Sequence, residues 1–106
     1  MLTNISAIDG RYFEKTRILE AYFSEHALFK YRVKVEILYF LQLIKTGIVQ
    51  IDLDKKLEQD LNSIYENYSI ADSQRIKEFE SQTKHDIKAV EYFIKEKTKT
   101  FLRWHI

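Results

Sequence analysis

The chain has no cysteine, no proline, only two glycines, and no apolar run long enough to span a bilayer. Each absence narrows what the protein can be. Without cysteine there is neither a disulfide framework nor a thiolate zinc site, and the composition suits a reducing cytoplasm. Without proline, and nearly without glycine, little interrupts a helix once it has begun. Lysine and arginine number 17 against 16 acidic residues, a formal charge of +1, so no field of one sign is present to attract nucleic acid or an anionic membrane. The opening residues Met1-Leu2-Thr3-Asn4-Ile5-Ser6 lack the basic and apolar regions of a secretion signal. The expectation is a cytoplasmic protein with no nucleic-acid partner, no membrane partner, no metal and no cofactor.

What is present supports a core. Of the 106 residues 45% are apolar, with seven tyrosines and seven phenylalanines, enough for one small folded domain and too much for a disordered chain. No repeat, low-complexity tract or linker divides it, so a single domain over 1–106 is expected. Residues 1–12 read as an extended lead-in ending in the turn pair Asp9-Gly10, which presents Arg11 and Tyr12. A short helical pattern follows through Phe13, Ile18, Leu19 and Tyr22. Ser24 can then cap the longest element, from about Glu25 to Thr46, with Gly47 placed to end it. That helix carries two apolar stripes, one of Leu28, Tyr31, Val35, Leu38 and Tyr39 and one of Phe29, Val33, Ile37, Phe40, Leu41 and Ile44. Two stripes predict burial on two sides, more than one small domain supplies, and so point to a further surface from additional chain or another subunit. His26, in its first turn, reads as a surface or capping-region residue without a role.

Ile48-Val49-Gln50-Ile51 reads as a connector. Asp52 or Asp54 can cap a helix reaching about Asn67 with Leu57, Leu61, Ile64 and Tyr65 on one side, and Ser69 with Asp72 starts another that holds Ile76 and Phe79 and ends near Ser81. The last helix places Ile87, Val90, Phe93 and Ile94 on an apolar face. Thr83 followed by Asp86 has the spacing of a capping box, which predicts a start at Lys84 with His85 in the first turn. Unpaired N–H groups and the positive end of the helix dipole favour an anion there and a neutral imidazole at His85, able to act as a base or accept a hydrogen bond. Taken alone, such a histidine is ordinarily just a solvated residue beside a cap. Together the elements predict an all-α fold, a small helical domain of about four to five helices with an extended N-terminal segment.

The wording of three ordered blocks adds a resemblance. Ile8-Asp9-Gly10-Arg11-Tyr12, then Tyr22-Phe23-Ser24-Glu25-His26-Ala27-Leu28 running into Tyr31-Arg32-Val33 and Val35-Glu36, then Thr83-Lys84-His85-Asp86-Ile87-Lys88-Ala89-Val90-Glu91-Tyr92 resemble the first-domain segment of bacterial-type adenylosuccinate lyases. The resemblance covers nearly all of this chain and about the first quarter of a family member. It implies a homotetrameric purine-biosynthesis enzyme of the fumarase and argininosuccinate lyase superfamily, which eliminates fumarate from adenylosuccinate and from a succinylcarboxamide intermediate. The implied base is a serine on a mobile loop and the principal acid a second-domain histidine, both beyond residue 106. By the same resemblance Arg11 and Tyr12 contact the nucleotide phosphate, while Lys84, His85 and Asp86 contact substrate, with His85 an auxiliary proton-transfer or substrate-positioning group.

Lys84 departs from the family's usual asparagine, replacing a carboxamide acceptor with an ammonium. The apolar ending Phe101-Leu102-Arg103-Trp104-His105-Ile106 reads as a chain cut short, with Trp104 an orphaned hydrophobic contact and His105 without a catalytic role. The expectation is therefore an inactive first domain of a lyase. The alternative is a non-enzymatic helical interaction module derived from a truncated paralogue.

Overall fold

Local side-chain chemistry sets the helix starts. Ser24, in extended backbone, accepts from the Ala27 N–H at 3.1 Å and opens α3 (Glu25–Lys45). Asp54 accepts from the Leu57 N–H at 2.7 Å and opens α4 (Lys55–Glu66). Ser69 and Asp72 form a capping box in front of α5 (Ile70–Thr83), the carboxylate taking the Ser69 N–H at 2.9 Å. Before them stand two one-turn helices, α1 (Phe13–Thr16) and α2 (Glu20–Phe23), joined by a 3-10 turn at Arg17–Leu19, and after them comes α6 (Asp86–Thr98). The computed structural model describes residues 2–3, 5–6 and 10–99, and every regular element among them is a helix. Asp9, Trp104 and His105 lie outside the described residues. No helix among the described residues is long and apolar enough to cross a membrane.

Where α3 ends, Gly47 adopts φ +82°, the left-handed conformation that glycine enters without a Cβ penalty. In place of an extended lead-in, the described residues before α1 run in turns and bends, with the Gly10 N–H donating to Ser6 O at 3.0 Å. Neither α1 nor α2 contributes a buried residue.

The core is one stripe of α3. Phe29, Val33, Ile37, Leu41 and Ile44 are buried against Leu61 of α4, Ile76 of α5, and Ala89, Val90 and Phe93 of α6. Each large side chain removed from water contributes about 1.5–3 kcal/mol, so this cluster accounts for the association of the four long helices. The second stripe is not covered: Leu28, Tyr31, Val35, Leu38 and Tyr39 are exposed, Val35 at 62% and Tyr39 at 59%. The body is elongated, 55 × 28 × 20 Å, with a radius of gyration of 17.0 Å against about 13 Å for a compact domain of this size. Its helices are also laced by partly exposed ion pairs, Lys77–Glu25 (2.7 Å), Arg75–Glu96 (2.8 Å), Lys45–Glu58 (3.2 Å) and Lys97–Asp72 (3.2 Å). Such pairs fix register more than they stabilise.

The largest departure from the sequence reading is the α5–α6 junction. Thr83 does not cap α6; it is the last residue of α5, which runs two residues past Ser81. Lys84 then turns into the left-handed region at φ 56°, ψ 29°, and His85 becomes the N-cap, with α6 beginning at Asp86. The reason is that nothing in Glu80-Ser81-Gln82 breaks a helix, so α5 continues until a residue leaves the right-handed region. A lysine there is strained, by roughly 1–2 kcal/mol relative to a right-handed conformation, whereas asparagine tolerates it better.

Lys84→Asn should therefore raise stability, by up to about 1 kcal/mol, seen as a higher urea midpoint; an unchanged or lower midpoint contradicts the strain. A second expectation concerns acid. Arg75 holds the Glu96 carboxyl below its ordinary 4.5, so that pair's contribution is complete above the ordinary carboxylate range and lost as pH falls through the lowered value. Wild-type urea midpoints should fall more steeply than those of Glu96→Gln below pH about 4. Parallel curves would show the pair to be silent.

Candidate functional site

His85 caps α6 through its ring. Nδ1 accepts from the Lys88 N–H at 3.2 Å, which requires a lone pair on Nδ1 and so, in the neutral ring, places the proton on Nε2. The junction is braced from behind: Thr83 Oγ1 donates to His85 O at 3.0 Å and lies 3.3 Å from the His85 N–H. Thr83 thus supports the junction, although as a local turn and not as the cap. The ring is exposed, and its outward nitrogen carries a hydrogen to give. In that tautomer the free ring nitrogen is a hydrogen-bond donor.

Asp86 is the first helical residue. Its Oδ1 accepts from the Ile87 N–H at 2.9 Å and its Oδ2 from Arg32 Nη1 at 2.8 Å. The Arg32 hydrogen bond, helped by the Ile87 amide, holds the Asp86 carboxyl below its ordinary value. Arg32 stands on α3 between buried Phe29 and Val33, so it ties the start of α6 to the core helix across 54 residues of sequence. No local pattern in the sequence announced this pairing. Leu28, Tyr31, Val35, Ile87 and Val90 line an apolar groove beside it, with Arg32, Glu36 and Glu91 among its walls.

Arg11 and Tyr12 lie together before α1 and are both exposed. The Arg11 guanidinium is 5.5 Å from the centre of the Tyr12 ring, and the Lys15 ammonium is 5.8 Å from it on the same tyrosine. None of the hydrogen bonds or ion pairs of Lys84, His85 or Asp86 reaches Arg11 or Tyr12. Two clusters are therefore present, a cationic one around Tyr12 and a donor at the α6 start. Among the described residues no group of histidine and acidic side chains is arranged to hold a metal.

His26 is also placed differently from its sequence reading. It is half-buried, with Nδ1 2.6 Å from Ser73 Oγ and its ring stacked on Tyr68 at 5.3 Å. Tyr68 Oη lies 2.7 Å from the same hydroxyl. Burial pushes the Tyr68 phenol up, the Ser73 hydroxyl pulls it back, and Asp72 adds a smaller upward push. This network joins α3, the α4–α5 turn and α5, satisfying polar atoms where the helices meet.

Comparison with known proteins places these residues in context. A scan against protein-family models finds no match. The chain is 50% identical over 106 residues to the adenylosuccinate lyase of Dictyostelium discoideum, covering 97% of this chain and 23% of that protein. It is 47% identical over 98 residues to the adenylosuccinate lyase of Legionella pneumophila (strain Corby) and 40% identical over 98 residues to that of Escherichia coli (strain K12), covering 22% of each. The chain spans less than a quarter of the length of these curated relatives. Along nearly its whole length, it is homologous to part of an adenylosuccinate lyase.

Proposed function

We propose that the chain forms the first domain, over 1–106, of an adenylosuccinate lyase and supplies part of that enzyme's substrate site. The observation that carries this reading is identity of 50% along nearly the entire chain to a protein of that name. The reaction is a β-elimination: a base removes the proton from Cβ, the carbon adjacent to the one that bears the departing nitrogen, the C–H electrons form the new C=C bond, the C–N electron pair leaves with nitrogen, and an acid protonates it, giving fumarate and AMP from adenylosuccinate. The same chemistry serves the succinylcarboxamide intermediate.

In this reading Arg11 holds the nucleotide phosphate through its planar fork, with the Tyr12 hydroxyl as a further donor and Lys15 adding charge. Lys84, His85 and Asp86 form the substrate-positioning turn. The outward Nε2–H of His85 is suited to a substrate carboxylate or carbonyl oxygen, on which charge grows as the proton leaves. The enzyme is cytoplasmic and homotetrameric, and the uncovered stripe of Leu28, Tyr31, Val35, Leu38 and Tyr39 supplies apolar surface for such an assembly. By the resemblance, the base and the principal acid come from segments of the enzyme other than the one matched here.

The test replaces the matching part of the Dictyostelium enzyme with this chain and follows fumarate release. The chimera should turn over, and the isolated chain should not. Arg11→Ala should chiefly raise KM, because phosphate is held alike in ground and transition states. His85→Ala should chiefly lower kcat, on the order of 10²-fold, since a donor aimed at developing charge acts in the transition state. An inactive chimera counts against the lyase reading, and an effect of His85→Ala on KM alone reduces His85 to a binding contact.

A further inference from the structure

Arg32 reaches the α6 start from α3, across 54 residues of sequence. Its backbone is immobilised, because Phe29 one turn earlier and Val33 beside it are both buried in the core. Its guanidinium reaches Asp86 Oδ2 at 2.8 Å with only 31% of its side chain exposed. Asp86 Oδ1 meanwhile takes the Ile87 N–H at 2.9 Å, so both carboxylate oxygens are engaged and the plane of the group is fixed. Backbone N–H and O at His85 are tied to Thr83, and its Nδ1 is tied to the Lys88 amide. The turn is thus internally rigid, and it is continuous with both helices through the Lys84 N–H to Glu80 O at 2.7 Å and the Ala89 N–H to His85 O at 3.0 Å, with Ala89 and Val90 buried in the core. Beyond that packing, the Arg32–Asp86 pair ties the exposed outer edge of the turn to α3.

We infer that Arg32 is a positioning residue that acts through Asp86 to aim the Nε2–H of His85. An ion pair this exposed adds little to stability, so its consequence is direction. Lysine can supply the charge but not the planar fork, and should substitute only in part. The catalytic form of this inference rests on the lyase reading; its structural form does not.

Two measurements test it separately. In the chimera, Arg32→Ala should lower kcat on the order of 10- to 100-fold with a smaller change in KM, the scale of a displaced reacting group. Arg32→Lys should recover part of the loss. Because Arg32 acts through Asp86, Arg32→Ala added to Asp86→Asn should cost nothing more than Asp86→Asn alone. Losses that multiply would overturn the inference by making Arg32 an independent contact. In the chain alone, NMR should show Arg32→Ala raising the Asp86 carboxyl titration and moving the Lys88 amide and His85 ring signals, while core methyl signals of Val33 and Ile76 stay in place. Unmoved Asp86 and His85 signals would overturn it as well. A chimera that is inactive with Arg32 intact counts against the lyase reading, and the NMR comparison then decides the Arg32 inference by itself.

Discussion

The burial of one stripe of α3 is the constraint on which the rest depends. Phe29, Val33, Ile37, Leu41 and Ile44 run the length of a 21-residue helix, and α4, α5 and α6 each give up an apolar face to cover them. With Phe93 and Ile76 completely enclosed, α5 and α6 cannot rotate without exposing a large side chain at a cost of several kcal/mol. Orientation of the α5–α6 junction follows from that packing. So does the direction of Arg32, which projects from the same helix between two buried residues.

The junction is held by side-chain and backbone bonds on both sides of Lys84. His85 uses one ring nitrogen to satisfy an orphan amide of α6 and presents the other to solvent as a donor. Lys84 supplies the turn at the cost of a left-handed backbone, and strain of this kind persists only where flanking structure over-determines it. Here the flanking structure is the capping of α6, the Thr83 brace and the Arg32–Asp86 pair.

The exposed stripe of α3 is the complementary fact. Leu28, Tyr31, Val35, Leu38 and Tyr39 are spaced as regularly as the buried stripe, yet no described residue covers them. In an elongated body of 55 × 28 × 20 Å, three helices suffice to shield one side of α3 and leave the other bare. The chain matches under a quarter of a much longer enzyme.

The amino-acid sequence by itself determined the all-α character, the span of α3 and the starts of α3 and α5, and narrowed the start of α4 to a cap at Asp52 or Asp54, because periodicity and caps act over three or four residues and can be read locally. Ser24, Asp54 and the Ser69–Asp72 box sit where that local chemistry puts them. The start of α6 was read wrongly at the same level: the Thr83–Asp86 spacing predicted a cap at Thr83 and a start at Lys84, whereas His85 is the cap because α5 continues as a helix to Thr83 and the chain turns at Lys84. Which stripe of α3 is buried, how His26 meets Ser73 across 47 residues, and how Arg32 meets Asp86 across 54 were decided only by tertiary structure. Nothing local distinguishes those partners, since what brings them within 3 Å is the packing of whole helices on one buried face.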